Sequence, residues 1–422
     1  MKLSDLDINQ AAKIRESTNF TVREVKKVCK NIGPRASGTE NEDKAQEFVI
    51  ENCSKFADTV EKETFGLSPR AFMAWPWVCA LFMLIAAAFY QLSAFDVVPS
   101  CSKIFNIAAL ALTVIAVIII VFDFLLYKKI LDPFFKKATS SNVILTKKPV
   151  GEVKRRIIFS GHIDSSYEWR FTHLGGAKLV TAVIAAAIVS VGVSLVIYIL
   201  SLVTEPSSIA LWFFKIVDIV AALVCMVGFF FENGKVVVDG ANDDLTGVYS
   251  SIAVLQFMTD NNIRFENTEV VAISMGAEEP GLRGSKAYVK KHADELNKVE
   301  TVFVETDTLR DMEFMGVFNK DMTGTVKLDS KAVELVKKAA SMADKDLPYL
   351  SCFFGSSDAA AMAQGGVKSV LFAAMDPAPA RYYHTRLDTA DNLDIKTVEK
   401  GVEILINTAL LFDEQGLKEK YD

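Results

Sequence analysis

The sequence predicts an α/β domain with a largely parallel central sheet, interrupted twice by pairs of membrane-length apolar helices. Two observations carry this reading. From Val270 to the C-terminus, short β-branched runs alternate with amphipathic stretches, as in strands that return through helices. Between residues 71 and 231, four almost uncharged segments each supply the roughly 20 apolar residues that a bilayer crossing needs.

Composition agrees with such a mixture. The chain has 422 residues, 51% hydrophobic and 23% charged, with a net charge of −6. The charged share is that of a soluble protein, so the excess apolar residues belong to separate segments. No Lys/Arg block forms a phosphate-tracking stripe, which excludes nucleic acid as a partner. Six cysteines are scattered without a C-x-x-C pair, so neither a disulfide framework nor a cysteine zinc site is expected. Met1 to Asn9 is polar and acidic, and no cleavable signal peptide is expected there.

Taken in order, Thr21-Val22-Arg23-Glu24 reads as a capping box opening a helix towards Ile32. Gly33 to Glu40 breaks it, and a second amphipathic helix follows over Glu42 to Lys55. Val60 to Phe65 reads as a short strand. The apolar segments are Ala71 to Phe95, Ile104 to Tyr127, Leu179 to Val203 and Ile209 to Phe231. Trp75, Trp77, Tyr127 and Trp212 lie near their ends, where interfacial aromatics belong. Asp123, Lys215 and Asp218 are charged exceptions. Asp123 is expected to reach the interface, and Lys215 and Asp218 to pair or snorkel.

The connections Gln91 to Lys103 and Thr204 to Ser208 are short, so each helix pair is a hairpin returning to its starting side. All remaining sequence then lies on one side. That side carries Arg70, Lys128, Lys129, Lys136, Lys137, Arg170, Lys178 and Lys235, whereas the other carries only Lys103, beside Asp96 and Glu205. The positive-inside rule makes the soluble part cytoplasmic in a multi-pass protein of the cell membrane. The expected partition is a catalytic domain over 1–70, 138–177 and 233–422, with transmembrane hairpins over 71–137 and 178–232.

Between the hairpins, Asn142 to Thr146 and Arg156 to Ser160 read as strands, the second leading into Gly161-His162-Ile163-Asp164. After them, Val236 to Val238 leads into Gly240-Ala241-Asn242-Asp243-Asp244, and a helix runs over Leu245 to Thr259. The strand at Val270 opens into Gly276-Ala277-Glu278-Glu279-Pro280-Gly281. A helix begins at Ser285, and the strand Val302 to Glu305 ends at Thr306-Asp307. Helix Lys331 to Met342 and strand Ser369 to Ala373 precede a loop with Tyr383, His384 and Asp388, and Ile395 to Phe412 closes the chain as a helix. Carboxylates and histidines thus gather at the carboxyl ends of strands, where open α/β sheets place ligands. Each motif alone is weak: Asn-Asp-Asp before a helix is by default a cap, and His292 reads as an exposed helical residue. Together they supply the nitrogen and carboxylate donors of a two-metal site.

The motifs Gly-His-Ile-Asp-Ser, Gly-Ala-Asn-Asp, Gly-Ala-Glu-Glu-Pro-Gly-Leu-Arg-Gly-Ser and Tyr-His-Thr-x-x-Asp-Thr resemble the co-catalytic di-zinc exopeptidases. That family includes bacterial leucyl aminopeptidases, aminopeptidase Y and glutamate carboxypeptidase. Gly-Pro-Arg-Ala-Ser-Gly-Thr from Gly33 resembles its N-terminal segment, and the likeness excludes the hairpins. The resemblance implies a three-layer α/β/α domain with a mixed, largely parallel sheet. It implies two zinc ions and a peptide substrate. Asp243 would bridge the ions, with His162 and Asp307 completing one and Glu279 and His384 the other. Glu278 would be the general base and Asp164 would orient His162. Glu305, pointing the same way as Asp307, is a possible substitute for it. The peptide bond after Asp243 is cis in relatives. Tyr383 and Asp358 lie where relatives line the substrate pocket. An aminopeptidase is the first expectation. A carboxypeptidase, using Arg283, Arg381 or Arg386 as a carboxylate clamp, remains open, as do a glutaminyl-cyclase-like enzyme and a non-catalytic membrane scaffold.

Overall fold

The computed structural model describes residues 10–421, so the polar start of the chain, Met1 to Asn9, lies outside the described residues. The chain divides into two compact units. One comprises Met1–Pro69, Lys137–Tyr167 and Lys235–Asp422, the other Arg70–Lys136 and Glu168–Gly234. The second excursion thus begins at Glu168, ten residues before the expected boundary at 178, because its helix already starts at Arg170.

The first unit is built on a nine-stranded mixed sheet. Its order is Thr59–Leu67, Ala138–Lys147, Thr268–Met275, Arg155–His162, Glu300–Leu309, Lys368–Ala374, Met315–Asp321 and Tyr349–Ser351, with Val326–Lys327 beside Met315–Asp321. The four central strands, Thr268–Met275 to Lys368–Ala374, run parallel. They read as continuous apolar runs because helices cover both faces. One face packs on helices Gln10–Asn31, Leu245–Asp260 and Ile395–Gln415, with Phe159, Val270, Val304 and Phe372 in the core. The other packs on Arg283–Leu296 and Asp358–Gln364, with Ile158, Val271 and Phe303. This is the expected three-layer α/β/α architecture.

The helix Leu245–Asp260 lies deepest, with every residue from Leu245 to Met258 buried. Two glycines let it approach. A Cβ on Gly161 would collide with the backbone of Gly247 and Val248, and one on Gly247 with the carbonyl of Thr306. This close contact brings the helix N-terminus against the ends of two central strands.

Several element boundaries differ from expectation. The first helix runs over Gln10–Asn31, so Thr21 sits inside it and caps nothing. Its hydroxyl instead donates to the carbonyls of Ser17 and Tyr249. The second helix, Glu40–Cys53, starts at a true cap: Thr39 accepts from the Glu42 amide. Strands Met315–Asp321, Val326–Lys327 and Tyr349–Ser351 and helix Asp358–Gln364 were not expected.

The second unit contains four helices long and apolar enough to cross a membrane: Phe72–Ala94, Pro99–Leu125, Arg170–Val203 and Ser208–Phe230. The second ends in a wider π turn over Ile119–Leu125, and the third breaks at Gly176, whose φ is 61°. The charged exceptions do not behave as expected. Asp123 is fully buried and accepts from the amides of Ile130 (3.0 Å) and Leu131 (3.4 Å), capping the turn that follows rather than reaching outwards. Asp218 is also buried and accepts from Tyr198 Oη (2.5 Å) and Gln91 Nε2 (2.9 Å). Lys215 neither pairs with it nor snorkels freely: its ammonium lies over the rings of Phe95 and Trp212.

Candidate metal centre

The strand ends of the first unit gather the candidate residues. His162 closes one central strand, and Asp243 lies just ahead of the buried helix. The two meet at 3.1 Å, His162 Nε2 to Asp243 Oδ1. His384, in the late loop with a left-handed φ of 51°, approaches from the other side. Its Nε2 lies 3.1 Å from Asp243 Oδ2 and 3.3 Å from Glu279 Oε2. One carboxylate therefore faces one histidine with each oxygen. Two donors bound tetrahedrally to one zinc at about 2.0–2.1 Å lie about 3.3 Å apart, so these spacings suit shared ions.

Two groups of donor atoms converge: His162, Asp243 and Glu279, and His162, Asp244 and Asp307. Buried Glu279 Oε1 has no hydrogen-bond partner, as expected of a ligand atom awaiting a cation. The donor set of imidazole and carboxylate fits zinc. Glu305 is buried but belongs to neither group. Asp307, two residues later, is the carboxylate of that strand that reaches His162. Asp244 is also in the second group, yet its oxygens are engaged by backbone. They accept from the amides of His162 (3.0 Å), Gly247 (2.9 Å) and Thr308 (3.0 Å). The peptide bond between Asp243 and Asp244 is cis.

A ring of buried groups fixes these loops. The Asp164 carboxylate accepts from Ser37 Oγ (2.6 Å) and from the amides of Glu278 (3.0 Å) and Glu279 (3.2 Å), and lies 3.5 Å from His162 Nδ1. It therefore links the histidine to the Glu-Glu turn. Glu42 holds the same turn from behind, accepting from the amides of Ala277 and Gly38 and from Ser140. Arg35, fully buried, donates to the carbonyls of Gly33, Ile163, Asp239 and Gly240. Asp388 accepts from both Asn242 nitrogens and the Asp243 amide. Sequence reasoning missed the roles of Glu42, Arg35, Asp244 and Asp388. The signal for Arg35, Asp244 and Asp388 lay inside quoted stretches; for Glu42 there was none, since it reads as an ordinary helix surface residue.

Glu278 sits 4.0 Å from His162 Nε2. Burial, and then the neighbouring Asp358, Glu279 and Asp307 charges, push its carboxyl well above the usual range against the opposing pull of His162. Asp243 behaves oppositely. Burial would raise it, but the hydrogen bonds from His162 and His384 outweigh burial and hold it low. Tyr383 stacks on His384, with ring centroids 3.9 Å apart. Asp358 is fully buried, accepts from Ser285 Oγ and leaves Oδ2 without a partner. The exposed-helix reading of His292 is corrected: it is half-buried and lies 2.9 Å from Glu63 Oε1.

The crowding makes a prediction. Burial raises Asp307 from 3.8 to about 6, and Asp358 and Asp388 from 3.8 to about 7. Between 3.8 and about 7 the folded chain binds more protons than the unfolded one, so stability falls as pH rises. The Tm of chelator-treated protein is expected to drop between about pH 5 and about pH 7.5. Added zinc is expected to restore it at the higher pH and do little at the lower, and Asp358→Asn to flatten the slope. A metal-free Tm that rises across this window would contradict the crowding.

The sequence profile of peptidase family M28 matches residues 226–409. That stretch of the chain is similar to this peptidase family. The matched stretch holds Asp243, Glu278, Glu279, Asp307 and His384, and the fold carries the likeness further. A zinc aminopeptidase from Bacillus subtilis aligns at a TM-score of 0.54 and 15% identity, covering 96% of each chain. The aminopeptidase LapA of Legionella pneumophila aligns at 0.53 and 12%, covering 96% of this chain and 73% of its own. A glutaminyl cyclase from Porphyromonas gingivalis aligns at 0.53 and 12%, covering 95% and 98%. These structures share the α/β fold. No curated protein sequence matches.

Proposed function

We propose that this chain is a membrane-anchored, zinc-dependent aminopeptidase that removes N-terminal residues from peptides. The observation that carries the reading is Asp243 between His162 and His384, one oxygen towards each at 3.1 Å. That arrangement suits a carboxylate bridging two ions. His162 and Asp307 would complete one site, and Glu279 and His384 the other. Zinc, when bound, acts as a Lewis acid that polarises a peptide carbonyl and acidifies water.

The chain's own groups do the rest. Glu278, partly exposed beside His162, takes the proton of the attacking water and passes it to the leaving amine. Asp164 holds His162 and the Glu-Glu turn in one frame. Tyr383 and Asp358 border the same space, where the substrate's N-terminal residue would lie. Removing the partner of a metal-bound histidine weakens metal affinity by roughly 10–100-fold. Asp164→Asn is expected to do so with the fold retained, measured by competition with a chelator.

The four apolar helices anchor the protein, and the lysine and arginine residues on their flanks favour a cytoplasmic catalytic unit. The deciding experiment gives the detergent-purified protein peptides with free and acetylated N-termini and measures its metal content. Close to two zinc ions per chain, with residue release only from free N-termini, is expected. Release of C-terminal residues would make it a carboxypeptidase. Cyclisation of N-terminal glutamine with one zinc would make it a cyclase. No zinc and no turnover would leave a scaffold.

A further inference from the structure

We propose that the segment Lys128–Lys137 is a docking surface for anionic phospholipid headgroups. It follows the second apolar helix and reads Lys-Lys-Ile-Leu-Asp-Pro-Phe-Phe-Lys-Lys. The proposal rests on the membrane reading above and adds to it a lipid chemistry and a place.

Three observations carry it. Lys128, Lys129, Lys136 and Lys137 are all exposed, and Lys128, Lys136 and Lys137 form no ion pair among the described residues. The one acid of the segment, Asp132, is buried. Between the two lysine pairs, Phe134 is 81% exposed, at the end of a short turn over Asp132–Phe134. In water such a ring is a liability; at a headgroup boundary it is an anchor. Its neighbour Phe135 lies against Trp77 of the first apolar helix, ring centroids 6.2 Å apart, and Trp77 is itself 41% exposed. Aromatic rings and ammonium groups therefore share one short stretch of surface. Long lysine stems lie along the apolar boundary while their charges reach phosphate.

The opposite ends of the helices carry no such lysine cluster among the described residues. There Lys103 is accompanied by Asp96, which accepts from Ser102, and by Glu205, and the Lys215 ammonium is held over the rings of Phe95 and Trp212. An anionic surface is therefore favoured at one set of ends and not at the other. Basic clusters of this kind bind anionic leaflets through additive contributions from each lysine.

The test reconstitutes the full chain into nanodiscs of equimolar phosphatidylcholine and phosphatidylglycerol. The lipids retained after extraction into mild detergent are then counted by native mass spectrometry. Retained phosphatidylglycerol is expected to exceed phosphatidylcholine several-fold. The combined variant Lys128→Gln, Lys129→Gln, Lys136→Gln and Lys137→Gln is expected to bring that enrichment down to the bulk ratio. Lys103→Gln is expected to leave it unchanged, and Phe134→Ser to weaken it with all charges kept. Equal retention of the two lipids by the unaltered chain, or enrichment that survives loss of the four lysines, would overturn the proposal. Failure of the chain to enter nanodiscs at all would instead overturn the membrane reading.

Discussion

Glu278→Gln is expected to lower kcat for N-terminal residue release by about 10²–10⁴-fold, the range that a positioned acid/base group contributes. The change keeps the shape of the side chain and removes its ability to hold a proton. At 1.36 kcal/mol per decade this is about 3–5 kcal/mol of lost transition-state stabilisation. KM should change little, because the glutamine still fits beside His162, and the zinc content should stay at the unaltered value. The split between the two readouts decides the role. If Glu278→Gln lost metal together with activity, the residue would be a ligand rather than a base. If it kept full turnover, the base would lie elsewhere, and Asp358 would be the next candidate.

Asp243→Ala is expected to have the largest effect on metal content. Its two oxygens face two different histidines, so one substitution removes a donor from both of the proposed sites. It also leaves His162 and His384 without their shared partner. Loss of both ions, measured by elemental mass spectrometry, and of all detectable turnover is expected. His384→Ala removes a donor from one side only and is expected to leave about one ion. If Asp243→Ala and His384→Ala lost the same amount of metal, the bridging arrangement would be wrong. Both variants must be checked by near-UV circular dichroism, since Asp388 holds the Asp243 loop by its backbone amides and keeps that contact in either variant.

Much of this site was legible because its chemistry sits at strand ends in short, recognisable motifs. His162, Asp243, Glu279, Asp307 and His384 come together within a few ångströms although more than 200 positions separate the first from the last. The supporting groups were less legible for a physical reason. Glu42, Arg35 and Asp388 bind backbone amides and carbonyls in other loops, and a backbone partner leaves no trace in residue identity. The missed strand Met315–Asp321 carries Asn319 and Lys320 at its exposed end, so no apolar alternation marked it. The first helix was begun too late because Gln10 to Asn19 mixes polar and apolar residues without a clean cap. Asp123 was expected at the interface, and Asp218 to pair with Lys215 or snorkel, because hydropathy reports the average of a segment, not the polar partners that the following turn and the facing helix supply.

The sheet register has one more consequence. Leu67 and Ala138 face each other across adjacent antiparallel strands, and the Val238 amide donates to the Ser166 carbonyl at 3.0 Å. Both apolar excursions therefore leave and rejoin the α/β unit at points already stitched together by that unit's own backbone. Each is topologically a surface insertion, of the kind tolerated where chain ends lie close together. The nine-stranded sheet takes no strand from them, so a version with two short turns in their place is expected to keep that sheet.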